Sequence, residues 1–119
     1  MAAGLSDDAE FAFEKEILEQ AIFFRLKGSI NSSNTPSIRA ELVEAAKDNN
    51  LLIDMNEVTM LTSTGVGTLF EITDMMSKSE KKLVIINPSD RVKQVIDLTG
   101  FAELFKVSPS RETALTELS

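Results

Sequence analysis

Three hydroxyl residues stand in a row at Thr62-Ser63-Thr64, and Gly65-Val66-Gly67 follows them. Hydroxyls ahead of glycines suit the first turn of a helix, where a side-chain oxygen accepts from an orphan backbone N–H. The same place puts a hydroxyl where the helix field favours added negative charge, so a phosphate could be attached and removed there. An ordinary capped helix fits the local sequence equally well. As a cap, Ser63 would contribute about 1 kcal/mol and need no partner. Thr62 and Thr64 are rivals, because spacing alone does not choose among three adjacent hydroxyls. A nucleotide phosphate loop is excluded: no Gly-Lys-Ser/Thr ending is present, and Thr68 stands where the lysine is needed.

Other chemistries are narrowed by what the chain lacks. It has no His and no Cys among its 119 residues, so it cannot build a Ser-His-Asp triad, a Cys nucleophile or the usual zinc site. Tyr and Trp are also absent, and the carboxylates are scattered rather than clustered. The expectation is a protein that is not an enzyme and carries no metal or cofactor. A formal charge of −7 argues against nucleic acid or an anionic membrane as the main partner. No apolar run reaches about 18 residues, and Met1 to Leu5 lacks a basic-then-apolar leader pattern, which points to a cytoplasmic domain.

The elements that must hold the hydroxyl corner follow from periodicity. Residues 1–10 read as a flexible N-terminal segment and 11–119 as one domain. Phe11, Phe13 and Ile17 alternate into a half-buried strand, and a second strand runs from Ala21 to Lys27, closed by Gly28. Asn31-Ser32-Ser33-Asn34-Thr35-Pro36 is a turn whose end, a Thr35 cap with Pro36 in the first turn, opens a helix. Its inward face is Ile38, Leu42, Ala45 and Ala46, and Asp48-Asn49-Asn50 ends it. Leu51 to Met55 is a third strand covered on both faces, leading through a polar loop to the hydroxyl corner. The next helix places Val66, Leu69, Phe70, Thr73 and Met76 at intervals of three and four, with Ile72 beside them. One of Met75 and Met76 faces in and the other out. Lys78, Lys81 and Lys82 form a basic cluster suited to a helix C-terminus. A fourth strand, Leu83 to Ile86, stops at Asn87-Pro88. Ser89 caps a third helix with Val92, Val95 and Ile96 inward and Gly100 as the left-handed terminator. A short strand near Leu104 to Val107 and a last helix capped by Ser110, through Leu115 and Leu118, complete the pattern. Alternating strands and helices imply an α/β layer sandwich: a mixed, mostly parallel sheet of five strands with four helices.

Three landmarks in this order carry a resemblance. They are Leu26-Lys27-Gly28-Ser29-Ile30-Asn31, then Leu61-Thr62-Ser63-Thr64-Gly65-Val66-Gly67, then Val92 through Gly100 to Phe101. Together they resemble the anti-sigma-factor antagonist family, the STAS domain, over nearly the whole chain from about Phe11. The resemblance implies a phosphoacceptor at Ser63. It also implies a partner that is an anti-sigma factor and an ATP-dependent Ser/Thr kinase, and a metal-dependent phosphatase that reverses the modification. The unphosphorylated antagonist would bind the kinase and free the sigma factor, in a bacterial cytoplasmic pathway, as a monomer or weak homodimer. The implied partner face comprises Asn31, Thr62, Ser63, Thr64, Gly65 and Gly67. Two positions depart from the family pattern: its Asp before the phosphoacceptor is Thr62 here, and its Asp after Gly-x-hydrophobic is Asn31. Each removes a negative charge, and they favour the alternative of a constitutive scaffold or transport-associated module.

Gly65 and Gly67 have two readings, close helix–sheet packing or a flat surface for a partner's backbone. Asn31 to Thr35 reads first as a turn, and the topology places it near Ser63 at the same sheet end.

Overall fold

The computed structural model describes residues 11–100 and 102–118. The segment 1–10 expected to be flexible, and Phe101 at the end of the third landmark, lie outside the described residues. Five strands form one sheet in the order β1-β2-β3-β4-β5, with β1 Ala12–Ile17, β2 Ala21–Ile30, β3 Asn50–Leu61, β4 Leu83–Ile86 and β5 Lys106–Ser108. β1 is antiparallel to β2, and every other neighbouring pair is parallel. The helices are α1 Thr35–Ala46, α2 Ser63–Lys78, α3 Asp90–Thr99 and α4 Arg111–Leu118.

Apolar residues divide between the two faces of the sheet with the period of two that strands impose. Phe24, Leu26, Leu51, Ile53 and Ile85 pack with α1, α2 and α3 through Ile38, Leu42, Leu69, Ile72, Met76, Val92 and Ile96. Phe23, Leu52, Val84 and Ile86 pack with Ala114 of α4. Leu51, Leu52 and Ile53 are each 0% exposed, as a strand covered on both faces should be. Met76 is buried and Met75 is 37% exposed, as their adjacency on one helix requires.

Several elements differ from the sequence expectation. β1 is an exposed edge rather than half-buried: all six of its residues are exposed, Ile17 at 76%. Phe13 leans inward, its ring centroid 5.9 Å from that of Phe24. Gly28 does not close β2. It adopts φ +90°, and register shifts on either side of Lys27–Gly28 let the strand run on to Ile30. A bulge bends a strand without ending it. The supposed polar loop after Met55 is consequently strand, because Lys27–Ile30 supplies a ladder for Glu57–Leu61. Its polar residues face water while Val58 and Leu61 are buried. Asn34 rather than Thr35 occupies the N-cap position of α1, without a side-chain cap bond, and the buried Thr35 hydroxyl donates to the Asn31 carbonyl. The chain before β5 is a 3-10 turn, Ala102–Leu104, so the strand starts two residues later than expected, at Lys106, and ends at Ser108.

Candidate functional site

Each parallel strand from β2 to β5 leads into a helix at the carboxyl edge of the sheet. Ligands of open α/β sheets gather at that edge. There the Thr62 N–H donates to the Ile30 carbonyl at 3.1 Å, tying the end of β3 to the end of β2. This bond brings the Asn31–Asn34 turn against the hydroxyl corner, as the topology predicted.

The three hydroxyls do different things. Thr62 is the N-cap, with extended backbone (φ −83°, ψ +165°), and its side chain accepts from the Gly65 N–H at 3.4 Å. Ser63, the cap in the fold-only reading of the sequence, is instead the first helical residue. The Thr62 N–H bond to the Ile30 carbonyl holds Thr62 in extended geometry as the residue before the helix, so the helix starts one residue earlier than a Ser63 cap would start it. Ser63 and Thr64 are exposed, and their hydroxyls make no hydrogen bond among the described residues. Ser63 therefore presents an unengaged nucleophilic oxygen at the positive end of α2.

The glycines divide as well. Gly65 is buried, and a Cβ there would lie 2.7 Å from Leu61 Cδ1 and 3.0 Å from Ile30 Cγ2. Its missing side chain lets the helix start sit on the strand ends. Gly67 is exposed, and a Cβ there would meet nothing within 4 Å. Packing inside the domain does not require it.

Asn31 is held by its surroundings. Its Oδ1 accepts from the Ser33 N–H at 2.9 Å and the Asn34 N–H at 3.3 Å, and its amide donates to Ser29 Oγ at 3.1 Å. An aspartate would keep both acceptor roles, and the Ser29 hydroxyl would become the donor. The change from Asp to Asn thus alters charge rather than turn geometry. Further along the same surface Arg39 of α1 grips Glu71 of α2, Nε to Oε1 at 3.0 Å and Nη2 to Oε2 at 2.6 Å. The hydrogen bond from this guanidinium holds the Glu71 carboxyl below the usual carboxylate range. Sequence reading missed this pair, because α1 and α2 are adjacent only in the fold.

Among the described residues no group of three or more metal-ligating side chains converges, and no helix is long and apolar enough to cross a membrane.

Comparison with known proteins agrees with this geometry. The STAS domain family model matches residues 12–114. The anti-sigma-B factor antagonist of Bacillus subtilis is 28% identical over 95 residues, spanning 79% of this chain and 87% of that protein. An anti-sigma factor antagonist from Mycobacterium paratuberculosis superposes with TM-score 0.84 at 22% identity, covering 96% of this chain and 98% of the other. The Bacillus cell-fate determinant SpoIIAA in its phosphorylated form superposes with TM-score 0.70 at 19% identity, covering 91% of this chain and 100% of the other.

Proposed function

From a chain that belongs to the STAS domain family, we infer an anti-sigma factor antagonist of a bacterial cytoplasm, switched by reversible phosphorylation of Ser63. The observation that carries this reading is the division of labour at the corner. Thr62 caps α2, and Ser63 is left exposed with its hydroxyl unengaged. The partner is an anti-sigma factor that is also a Ser/Thr kinase, docking over Asn31, Thr62, Ser63, Thr64 and Gly67. A metal-dependent Ser/Thr phosphatase resets the switch. Relatives named as antagonists support the partner class, and a fold neighbour described in a phosphorylated form supports the chemistry.

Physical magnitudes favour a switch that ejects the partner without unfolding the domain. A phosphate adds roughly −1.5 to −2 charges at neutral pH. At the helix N-terminus it gains at most about 2 kcal/mol from the backbone field, so the free domain tolerates it. Buried against a partner without a cation, the same group costs on the order of several kcal/mol. Each 1.4 kcal/mol or so is tenfold in affinity, so the complex loses what the fold does not.

Dissociation constants for an anti-sigma kinase test the reading. Ser63→Ala should bind within about threefold of the native chain. Ser63→Asp, which adds part of a phosphate's charge, should bind at least roughly tenfold more weakly, the equivalent of about 1.4 kcal/mol. Equal affinity for all three proteins would instead favour the constitutive scaffold.

A further inference from the structure

On the far side of α1 from α2, a cleft of about 420 Å³ opens between that helix and β1. Phe11 and Phe13 form one wall, and Ile38, Asn34, Ser37 and Glu41 form the other. We propose that this cleft binds a small organic cation, an alkyl or aryl body with a single ammonium head.

The volume falls within the roughly 300–1,000 Å³ typical of small-molecule pockets and exceeds what a single partner side chain would fill. Its apolar wall is continuous: the Phe11 and Phe13 ring centroids are 6.3 Å apart, and Phe13 reaches Phe24 beneath. Phe13 remains 39% exposed, an aromatic face on a strand that no helix or strand among the described residues covers. The polar handles are selective. Asn34 is committed, its amide to the Ser29 carbonyl and its Oδ1 to the Asn31 N–H. Ser37 and Glu41, one helical turn apart, make no side-chain hydrogen bond or ion pair among the described residues. An unengaged carboxylate facing aromatic rings attracts a cation and opposes an anion. Lys15 lies two residues beyond Phe13 on the same side of β1, with its ammonium 6.0 Å from the Phe24 ring centroid. Phe24 does not line the cleft, so this ammonium sits against a neighbouring ring and leaves the Glu41 carboxylate unpaired among the described residues.

The test uses the full chain and three probes with one body: 4-phenylbutylammonium, the neutral 4-phenylbutanol and the anionic 4-phenylbutanoate. Amide shifts of Phe13, Ser37 and Glu41 are followed by NMR. The cation should saturate these shifts at the lowest concentration and the anion at the highest. Glu41→Gln should remove a cation-over-alcohol preference of roughly three- to fivefold and leave alcohol binding unchanged. Phe13→Ala should weaken all three probes. Glu41 is exposed, so Glu41→Gln should melt near the native chain. Phe13→Ala removes a ring packed on Phe24 and is read beside its melting curve. The three-probe ranking on the native chain stands without either variant. No saturable shift with the cation, equal binding of cation and anion, or a preference that survives Glu41→Gln would each overturn the proposal.

Discussion

Three helices of this domain are capped by a hydroxyl at the same edge of the sheet, and among these three only one has hydroxyls left over in its first turn. At α3, Ser89 Oγ accepts from the Val92 N–H at 3.2 Å and donates to the Val58 carbonyl at 2.8 Å. At α4, Ser110 Oγ accepts from the Thr113 N–H at 3.1 Å and bonds the Thr113 hydroxyl at 3.0 Å. At α2, Thr62 performs the cap, and Ser63 and Thr64 have no internal task. A hydroxyl bonded on both sides cannot be offered to a partner without cost to the fold. One placed after the cap can. The comparison separates serines whose hydroxyls hold the domain from a serine left exposed after the cap, although all look alike in sequence.

Substitutions can break or sharpen this contrast. The largest effect is expected beneath the corner. Gly65→Ala drives a methyl toward Leu61 and Ile30, and overpacking of this kind costs about 1–3 kcal/mol in chemical unfolding. Ser89→Ala removes a cap and a bond to the Val58 carbonyl, and should cost about 1–2 kcal/mol. Gly67→Ala should have the opposite sign, stabilising the free domain by about 0.5–1 kcal/mol, because alanine is the better helix former and nothing crowds it. If partner affinity falls in the same variant, the open glycine lies under the partner. Ser63→Ala should change stability by less than about 0.5 kcal/mol, as surface substitutions do. A loss as large as that of Ser89→Ala would show that Ser63 holds the fold, and the contrast would collapse.

The fold was legible where hydrophobic period decides structure. The stripes of α1 and α2, the fully apolar runs of β3 and β4, and the Ser89 and Gly100 boundaries of α3 all follow from local spacing. What escaped depended on distant partners. The second half of β3 reads as loop because its pairing partner lies beyond Gly28, where a bulge carries β2 onward. Phe11, Phe13 and Ile17 alternate in the same way whether or not anything covers them, so the exposure of β1 could not be seen. The cap assignment was illegible because Thr and Ser cap almost equally well, and the bond from Thr62 to Ile30 across the strands decides between them. The different tasks of Gly65 and Gly67 have the same origin: only the fold shows which Cβ would collide.

The most direct test of the central claim is phosphosite mapping by mass spectrometry. The native chain and Ser63→Ala are each incubated with ATP and every anti-sigma Ser/Thr kinase encoded in the same genome. A single phosphate on Ser63, absent from Ser63→Ala, is the predicted result. Phosphate on Thr62 or Thr64, label that persists in Ser63→Ala, or no label from any of the kinases would contradict it.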